Sequence, residues 1–337
     1  MPHIRPSTIT VLGAGSWGTA LALLLARNGH AVRLWGHDPE HVAELQRNRE
    51  NRCFLPAYPF PANLTAWPDL TAAIGNVDLI LVVVPSHAYG QTLAQIRGCA
   101  SGEAGFAWAT KGLEYGTGRF LHQVTAEVLG NTRPIAMVSG PSFAREVAAG
   151  LPTAITVASK NAGHARQVAS LLHGPSMRAY TSVDIVGVEV GGAVKNVLAI
   201  AAGVSDGLGF GANARAALIT RGLAEMVRLG ESVGGDRNTF MGLTGVGDLV
   251  LTCTDDQSRN RRFGLALGQG RSSIEAQVAI GQVVEGVVAA RELMRLARKQ
   301  GVEMPITEQV DGILHHGQSP RRAVETLLAR EPKAEIS

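Results

Sequence analysis

Apolar residues in the first half of the chain form short runs that alternate with stretches of helical periodicity. The runs are TITVLG, AVRLWG, DLILVVVP, FAWATKG, PIAMVSG and PTAITVAS, and the stretches between them include SWGTALALLLARNG and FLHQVTAEVLG. The third run is almost continuously Val, Leu and Ile, as expected for a strand that is buried on both faces. Strands that alternate with helices favour a mostly parallel sheet. The first half therefore predicts an α/β fold, a Rossmann-type doubly wound sheet with helices on both faces.

After about residue 184 the strand signals stop, and helical periodicity alone continues. The predicted helices cover residues 184–206, 213–233, 259–268, 273–280, 284–300, 306–316 and 320–329. A chain of 337 residues is longer than one hydrophobic core usually supports. We therefore expect a dinucleotide-binding domain over residues 1–183 and an all-helical substrate domain over residues 184–330. No linker separates them, so the long helix that starts near residue 184 is expected to form the joint.

Composition, charge and cysteine count exclude several classes of protein. The chain is 45% apolar and 18% charged, and its net charge of +3 is too small to indicate nucleic-acid binding. Cys53, Cys99 and Cys253 have neither metal-ligand spacing nor an even count for disulfides. The first residues, MPHIRPSTITVLGAG, lack the apolar core of a signal peptide. We therefore expect a cytoplasmic protein with reduced thiols, no metal site and no nucleic-acid partner.

A glycine-rich turn near the start of the chain has the pattern of a dinucleotide-binding site. In VLGAGSWGTALA, Gly13, Gly15 and Gly18 follow the first strand and open the first helix. The first glycine allows a tight turn, the second lets the backbone approach a pyrophosphate, and the third permits close packing of helix against sheet. The N–H groups at the helix N-terminus then bind the anion. In this strand–turn–helix context the pattern predicts a dinucleotide cofactor.

The end of the second strand bears on the choice between NADPH and NADH. A site selective for NAD usually has an acidic residue there for the ribose hydroxyls. This strand instead ends with Gly36 and His37, and Asp38 comes slightly later. Three arginines are nearby in the sequence: Arg33, Arg49 and Arg52. These features indicate that a 2′-phosphate is tolerated and favour NADPH, with ribose binding by Asp38 as the alternative.

Three polar clusters follow predicted strands, where open α/β sheets bind their ligands. They are PSHA, TKG and SGPSFA, at residues 85–88, 110–112 and 139–144. Lys111 is flanked by residues too small to shield it, so it is a candidate ligand contact, with a solvated loop lysine as the alternative. Ser142 has the placement of a helix N-cap, and capping alone would account for it.

A fourth cluster, TGVGDLVLTCTDDQSRNRRFG, contains a lone carboxylate and a basic helix start. Asp248 is the only charge in the apolar part of this stretch and requires a cationic partner or a chemical role. Ser258 is placed to cap a helix whose first residues are Arg259 and Asn260, which is an arrangement suited to a phosphate. The solvated face of that helix is expected to carry Arg261 and Arg262.

A single lysine interrupts the most apolar stretch of the chain, EVGGAVKNVLAIAAG. The stretch is too short for a membrane span and also contains Glu189 and Asn196, so we expect no span. Helical spacing puts small residues beside Lys195 and Asn196, namely Gly192, Ala199 and Gly203. A packed neighbouring helix would explain the glycines but not a lysine in mid-helix. Burial lowers the pKa of a lysine toward neutrality, which suits a general acid or base, so Lys195 is the candidate catalytic group.

Together these motifs resemble the bacterial NAD(P)-dependent glycerol-3-phosphate dehydrogenases. The matching motifs fall in the family's order over nearly the whole chain: GAGSWGTALA, FLPAYPFPANL, VVVPSHA, TKGLE, SGPSFAREV, EVGGAVKNVLAIAAG, TGVGDLVLTC, SRNRRFG and EMPITEQV. The resemblance implies reversible interconversion of sn-glycerol 3-phosphate and dihydroxyacetone phosphate with NADPH or NADH, supplying glycerophospholipid synthesis. It also implies that the helical domain is related to the C-terminal domain of 6-phosphogluconate dehydrogenase.

The resemblance also implies residues for the site, motif by motif. It implies Lys195 as the proton acceptor in alcohol oxidation. Around the substrate it implies Lys111, Gly140, Ser142, Lys195, Asp248, Ser258, Arg259 and Asn260. Around the cofactor it implies Ser16, Trp17, His37, Lys111, Ala144, Arg259, Val283 and Glu285, and position 17 often carries a smaller aromatic residue in the family. In the reductive direction, the hypothesis is that Lys195 protonates the developing alkoxide. Asn196 and Lys111 would orient that oxygen, while Asp248 would position Lys195.

Two other functions fit the same sequence less well. A 3-hydroxy acid dehydrogenase of the same architecture would need a carboxylate-binding arginine and could dispense with the helix start at residues 259–260. A module that binds NAD(P)H only to sense it would have no use for a lysine in mid-helix. Apolar helix faces such as VVEGVVAARELMRLA fit either a homodimer interface or the domain core, so the oligomeric state stays open.

Overall fold

The computed structural model describes residues 6–99 and 104–331, and its first part is an α/β layer structure. The strands are β1 (Thr8–Leu12), β2 (Ala31–Trp35), β3 (Glu50–Asn51), β4 (Leu55–Pro59), β5 (Leu64–Trp67), β6 (Leu79–Val82), β7 (Gly105–Trp108), β8 (Ile135–Ser139), β9 (Thr153–Ala158) and β10 (Met177–Ser182). The helices of this part are α1 (Ser16–Arg27), α2 (Pro39–Asn48), α3 (Leu70–Ile74), α4 (Ser86–Cys99), α5 (Leu121–Leu129), α6 (Ala144–Ala149) and α7 (Ala162–Leu172).

Eight strands form one sheet in the order β10-β9-β8-β7-β6-β1-β2-β5. Neighbouring strands in this sheet run parallel except β8 and β9, which pair antiparallel. The two remaining strands, β3 and β4, form an antiparallel ribbon. Strand β6 is buried at every position, as its continuous apolar run requires. The predicted Rossmann-type, mostly parallel sheet is therefore confirmed.

The sequence pattern does not predict the ribbon or the two strands at the edges of the sheet. The edge strand β5 alternates buried with exposed or half-exposed residues, and in β10 only Met177 is buried, so neither sequence shows a continuous apolar run. An edge strand has a neighbour on one side only, and its polar residues remain in contact with water. The runs that were recognised belong to strands inside the sheet, where both faces are covered.

The second part of the chain is helical, as predicted. Its helices are α8 (Ile185–Gly207), α9 (Ala212–Ser232), α10 (Arg237–Phe240), α11 (Asp248–Thr254), α12 (Arg259–Gly268), α13 (Ser273–Ile280), α14 (Glu285–Gln300), α15 (Pro305–His315) and α16 (Pro320–Leu328). A π-helical turn over Leu243–Gly247 leads directly into α11. The sequence pattern misses α10, this turn and α11, because they are short and the stretch contains several glycines.

Helix α8 is the centre of the helical part, and its glycines allow close contact with α12. A Cβ at Gly203 would overlap the carbonyl oxygen of Arg261, and a Cβ at Gly264 would overlap that of Ile200. The two backbones therefore touch. Within the described parts of the chain, α8 is the one helix long and apolar enough to span a membrane, but 94% of that window is buried inside the protein. Its apolar composition is accounted for by its place in the core.

Each part of the chain contributes apolar residues to a core cluster of the other part. Leu113 and Phe120, which flank a loop of the first part, belong to the apolar core of the helical part. Conversely, Ile185 and Val188 from the first turns of α8 belong to a core cluster under the sheet. The apolar face of α14 fitted either a homodimer interface or the domain core. It contributes Ala289, Leu293 and other residues to the core of the helical part. The division at residues 183 and 184 and the oligomeric state stay predictions.

Candidate active site

A cavity of about 1460 Å³ lies between the sheet and the helical part. The carboxyl ends of β1, β2, β6 and β7 reach it from one side, and α8, α12 and the segment before α14 reach it from the other. Of the predicted site residues, the following line it: Gly13, Gly15, Ser16, Trp17, Gly18, His37, Lys111, Ser142, Ala144, Lys195, Asn196, Ser258, Arg259, Asn260, Val283 and Glu285. Gly140 and Asp248 lie behind this lining and contact it through Lys111.

The glycine-rich turn joins β1 to α1 at the wall of the cavity. Gly13 has φ +122°, and a Cβ there would lie 2.6 Å from the carbonyl oxygen of Val83. A Cβ at Gly18 would overlap the carbonyl oxygen of Gly13, so α1 packs directly on the turn. A Cβ at Gly15, the N-cap of α1, would meet no described atom within 4 Å. Because this N-cap has no side chain, the first N–H groups of α1 remain for a phosphate, and the turn fits a dinucleotide.

The first residues of α1 connect the turn to both parts of the chain. Ser16 Oγ donates a hydrogen bond to the carbonyl oxygen of Phe54 at 2.7 Å and lies 3.3 Å from Gln282 Oε1. Gln282 belongs to the segment before α14, so the helical part contributes to the wall beside the turn. Trp17 lines the same region of the cavity.

At the end of β2 the structure does not bring the three expected arginines to the site. Arg33 donates hydrogen bonds to three carbonyl groups at the end of α3, and Arg49 donates to three around the start of β5. Arg52 pairs with Glu50 at the surface. None of these arginines is among the described residues that line the cavity. They therefore give no support to a preference for NADPH.

His37 and Asp38 line this end of the cavity, where a ribose would bind, together with Glu40, His41 and Glu44 of α2. Asp38 Oδ1 accepts hydrogen bonds from the backbone N–H groups of Glu40 and His41 and caps α2. Its capping role explains why an acidic residue follows β2 slightly late. The choice between NADPH and NADH stays open at this position.

Beyond the ends of β7 and β8, two lysines from the two parts of the chain meet on one carboxylate. Lys195 Nζ lies 2.9 Å from Asp248 Oδ1, and Lys111 Nζ lies 2.7 Å from Asp248 Oδ2. Lys111 Nζ also donates to the carbonyl oxygen of Gly140 at 3.1 Å. The Thr252 hydroxyl donates its proton to the backbone carbonyl oxygen of Asp248. Thr252 Oγ1 can therefore accept a hydrogen bond from Lys195 Nζ, at 2.9 Å. The lone carboxylate of the sequence thus has two cationic partners.

The electrostatics of this cluster suit Lys195 to proton exchange near neutral pH. Burial and, to a smaller extent, the cation of Lys111 lower the pKa of Lys195 to about 8, against the opposing attraction of Asp248. Burial by itself would raise the pKa of Asp248, but the charges and hydrogen bonds of the two lysines outweigh burial and lower it. The carboxylate therefore stays ionised while Lys195 can exchange a proton, which is the condition for general acid–base catalysis.

Two asparagine amides beside the lysines are oriented by a backbone group. The N–H of Gly286 can only donate, and it donates to Asn260 Oδ1 at 2.9 Å. Asn260 Nδ2 therefore faces Asn196 Oδ1, at 3.0 Å. Asn196 Nδ2, which lies 3.3 Å from the carbonyl oxygen of Gly192, is left as a hydrogen-bond donor at the cavity wall. This orientation suits a substrate oxygen that accepts hydrogen bonds.

The start of α12 supplies a cap and a guanidinium group to the cavity. Ser258 Oγ accepts the N–H of Arg261, so the predicted cap is present. Arg259 Nη1 donates to Gln282 Oε1 at 3.0 Å, and burial lowers the pKa of Arg259. A capped helix start with a guanidinium group is suited to a phosphate.

Arg261 corrects an expectation. It was expected on the solvated face of α12, but it is 8% exposed and pairs with Asp206 and Asp256. Its Nε also donates to the carbonyl oxygen of Cys253 at 3.1 Å. Because α12 packs against α8 through glycines, this face of α12 turns inward, and the arginine is buried with carboxylate partners. Arg262 is exposed, as expected.

Ser142 also differs from its expected role, since it does not cap a helix. Helix α6 begins at Ala144 with Phe143 as N-cap, and Ser142 Oγ donates to the carbonyl oxygen of Gly140 at 3.0 Å. The carbonyl group of Gly140 thereby gathers Ser142 and Lys111 at the end of β8.

The segment before α14 brings Val283 and Glu285 to the cavity. Glu285 is the first residue of α14, and its Oε2 accepts a hydrogen bond from Ser86 Oγ, the first residue of α4, at 3.0 Å. Burial raises the pKa of Glu285. This bond joins the two walls of the cavity.

Sequence reasoning missed three residues that contact the predicted set: Ser86, Thr252 and Gln282. The signal for Thr252 was available, since a threonine four residues after Asp248 lies on the same helix face. Ser86 lies in the recognised PSHA cluster. Gln282 had no comparable signal, because its partners Ser16 and Arg259 are far away in the sequence.

A dinucleotide-type turn on a Rossmann-type domain, opposite a buried lysine of a helical domain whose pKa is lowered, is the arrangement of a two-domain NAD(P)-dependent dehydrogenase. Sequence models of the N-terminal and C-terminal parts of NAD-dependent glycerol-3-phosphate dehydrogenase match residues 8–165 and 184–325. The chain therefore belongs to the NAD-dependent glycerol-3-phosphate dehydrogenase family, and the resemblance seen in its motifs is confirmed.

Individual relatives agree with this family. The chain is 58% identical over 328 residues to glycerol-3-phosphate dehydrogenase [NAD(P)+] of Aeromonas hydrophila, covering 97% of this chain and 98% of that protein. It is also 58% identical to the Escherichia coli K12 protein of the same name, covering 99% and 98%. The crystal structure of the Coxiella burnetii glycerol-3-phosphate dehydrogenase superposes with a TM-score of 0.94 at 52% identity, covering 96% of this chain and 99% of that one.

Proposed function

We propose that this chain reduces dihydroxyacetone phosphate to sn-glycerol 3-phosphate with NADPH or NADH, in a reversible reaction. The observation that carries the proposal is the buried cluster of Lys111, Asp248 and Lys195 at the cavity. Reduction of a ketone requires a proton donor at the developing alkoxide, and a buried lysine with a pKa of about 8 supplies one near neutral pH. Relatives of 58% identity are named for glycerol 3-phosphate and NAD(P)+.

A nicotinamide cofactor held at the glycine-rich turn would supply the hydride that reduces the carbonyl carbon. Lys195, as an ammonium group, gives its proton to the carbonyl oxygen as that oxygen becomes an alkoxide. Asn196 Nδ2 and Lys111 donate hydrogen bonds that orient the same oxygen. Asp248 holds both lysines through its two oxygens, and Thr252 fixes Lys195 from a second direction. In the oxidative direction neutral Lys195 accepts the hydroxyl proton.

The phosphate of the substrate binds at the start of α12 in this proposal. Ser258, Arg259 and Asn260 lie together there at the cavity wall. Arg259 supplies the charge, and its bond to Gln282 holds the guanidinium group in place. In this proposal, residues of α8 and α11 carry out the proton transfer, and residues of α12 bind the phosphate of the substrate.

On the nucleotide side, the proposed contacts begin at the turn of Gly13, Gly15 and Gly18, which receives the pyrophosphate at the start of α1. His37 lies where the ribose would bind. The remaining proposed cofactor contacts line the same cavity: Ser16, Trp17, Lys111, Ala144, Arg259, Val283 and Glu285.

We also propose that the product feeds glycerophospholipid synthesis and that the protein works in the cytoplasm. Cys53, Cys99 and Cys253 are free thiols, and the first two are exposed. Exposed free thiols are typical of proteins in a reducing compartment. Growth of a strain that lacks this enzyme, with and without added glycerol 3-phosphate, tests the metabolic part of the proposal.

The reaction is tested by following absorbance at 340 nm with dihydroxyacetone phosphate and either NADPH or NADH. Turnover by the wild-type protein that is lost in Lys195→Ala supports the reaction and the role of the lysine together. A 3-hydroxy acid series in the same assay, run with NADP+ and NAD+, tests the alternative substrate class. If only that series turns over, the proposal is wrong. Absence of turnover with every substrate would favour the other alternative, a protein that binds NAD(P)H without catalysing a reaction.

A further inference from the structure

The segment from Lys111 to His122, here called the strap, is bonded to the helical part of the chain at three points. The strap connects β7 to α5 and so belongs to the nucleotide-binding part. Lys111 Nζ pairs with Asp248 of α11. The Gly116 N–H donates to Glu292 Oε1 of α14 at 3.0 Å. The backbone N–H of His122 donates to Glu189 Oε1 of α8 at 2.9 Å, and the His122 ring contacts Glu189 Oε2.

The three carboxylates share an unusual property, since each is at most 1% exposed although it is ionisable. A buried carboxylate is expensive unless it is hydrogen-bonded and paired. Asp248 serves the chemistry of Lys195, but Glu189 and Glu292 touch neither the substrate region nor the cofactor region of the cavity lining among the described residues. The strap supplies the contacts of Glu189. Glu292 accepts the Gly116 N–H of the strap on one oxygen and pairs with Arg295 of its own helix on the other, at 2.8 Å.

Apolar packing fixes the strap in the same place. Leu113 and Phe120 are 1% and 5% exposed, and both belong to the core of the helical part. Between them, Tyr115 to Thr117 is exposed, and Arg119 pairs with Glu114 within the strap. The His122 ring also stacks on Phe120, with 5.6 Å between the ring centroids. The strap is therefore held at both ends and in the middle.

We propose that Glu189 and Glu292 are positioning residues that hold the strap against the helical part and thereby keep the Lys111 ammonium group at Asp248. The proposal rests on the proposed function, because it assigns these residues to the same reaction. Glu189 lies less than two helical turns before Lys195 on α8, so the helix that carries the proton donor also holds the far end of the strap. Loss of either carboxylate lets Lys111 move away from Asp248 and Lys195.

Such a movement has an electrostatic consequence that a general loss of stability does not have. Lys195 is faced by Asp248 and Cys253 on α11 and by Lys111 on the strap, and the Lys111 cation lowers its pKa. When Lys111 withdraws, this repulsion ends and Asp248 acts on Lys195 alone. Both changes raise the pKa of Lys195. The reductive kcat of the wild type should fall as pH rises through about 8, and in a strap variant this fall should move to higher pH.

The test compares Glu189→Ala with Glu189→Gln, using dihydroxyacetone phosphate and NADPH. Glu189→Ala should lower kcat by roughly 10- to 100-fold, since small misplacements at a catalytic centre have effects of this size. It should also raise the kinetic pKa by about one unit, which is a tenfold change in proton affinity. The NADPH dissociation constant should stay unchanged. Glu189→Gln keeps an acceptor for the His122 N–H and should restore most of kcat and the wild-type pH profile. Glu292→Ala should repeat the effect of Glu189→Ala.

Glu225→Ala is the matched control. Glu225 is another buried carboxylate of the helical part, but it accepts hydrogen bonds from Ile306 and Thr307 within that part. Its loss should lower the melting temperature while the pH profile of kcat stays in place. If Glu189→Ala keeps the wild-type profile, or if Glu225→Ala shifts it equally, the positioning role is overturned.

Hydrogen exchange on the wild-type protein tests the strap even if the alanine variants fail to fold. The amides of Gly116 and His122 should be protected, because buried carboxylates accept their hydrogen bonds. Exchange of both amides at the rate of an unstructured peptide would overturn the proposal. A wild-type protein that shows this protection but no turnover of dihydroxyacetone phosphate would instead refute the proposed function and leave the strap intact.

Discussion

The two sides of the cavity offer different chemical groups: backbone N–H groups on one side and charged side chains on the other. On the nucleotide side, Gly13 to Gly18 form one short turn, and the groups available to a phosphate are the backbone N–H groups at the start of α1, which no side chain caps. On the catalytic side, Lys111, Lys195 and Asp248 come from three distant parts of the chain and act through buried charges. The turn depends on what glycine lacks, namely a side chain. The cluster depends on charged side chains that must all be held in position together.

This difference has a practical meaning for substitutions. In the turn, a single Cβ at Gly13 or Gly18 causes a steric conflict with a neighbouring carbonyl group, whereas a Cβ at Gly15 meets no described atom. In the cluster, removal of one group leaves the others buried without their partner, so the effect spreads through the electrostatics of the site. Substitutions at five positions test this difference: Lys195, Gly18, Gly15, Arg259 and Glu225.

The largest effect is expected for Lys195→Ala. General acid–base catalysis contributes roughly 10²–10⁴-fold, so kcat should fall by about this factor. The NADPH dissociation constant should stay near the wild-type value, because the turn at α1 is untouched. Steady-state kinetics and a fluorescence titration with NADPH measure the two quantities. Near-normal turnover would remove Lys195 from the chemistry.

Gly18→Ala and Gly15→Ala separate folding from binding within the turn. At residue 18 a Cβ would overlap the carbonyl oxygen of Gly13, so we expect a loss of about 1–3 kcal/mol in the free energy of unfolding. At residue 15 a Cβ points into open space, so stability should be unchanged while NADPH binding weakens about 10- to 100-fold through loss of phosphate hydrogen bonds. Thermal unfolding and NADPH titration measure both. Equal melting temperatures for the two variants would contradict this division.

Arg259→Ala should affect the substrate rather than proton transfer. Removing a charged hydrogen-bond donor from a phosphate costs about 1.5–3 kcal/mol, so KM for dihydroxyacetone phosphate should rise roughly tenfold or more. The pH profile of kcat should keep its position, since Arg259 does not contact Lys195 or Asp248. Arg271→Ala, at an exposed position just after α12, is the control and should leave KM unchanged. An unchanged KM in Arg259→Ala would remove that residue from the phosphate site.

The smallest effect concerns stability and sharpens the comparison between backbone donors and cationic partners. Burial raises the pKa of Glu225 to about 7, although backbone N–H groups donate to it. Asp248, with two lysine partners, has a lowered pKa. Because the folded pKa of Glu225 is the higher one, its stabilising contribution is complete below pH 4.5 and is lost as pH rises through 7.

Glu225→Gln removes this titration and keeps an acceptor for the N–H groups. Between pH 4.5 and 7 the wild type should lose roughly 1–3 kcal/mol relative to the variant. Melting temperatures of both proteins across this range measure the difference. Parallel curves would show that Glu225 does not titrate in this way.

The sheet interior, the helical second part and the glycine-rich turn could all be predicted from the amino-acid sequence. These features depend on local patterns: the β-branched run in β1, the continuous apolar run in β6, helical periodicity, and three glycines in one turn. The sequence also identified Lys195 and Asp248 as candidate site residues. A charged residue in an apolar stretch indicates a special role even when its partner is not known. The family resemblance identified the residues around them.

The contacts between these groups could not be predicted, because they depend on how the chain packs. The tertiary structure placed Lys111 on Asp248, turned Arg261 inward, and occupied Arg33 and Arg49 with carbonyl groups far from the cavity. It also brought Glu189 and Glu292 to the strap. Each of these outcomes depends on contacts between residues remote in the chain. A local pattern reports that a charge is buried, but the partner that makes its burial tolerable is chosen by packing.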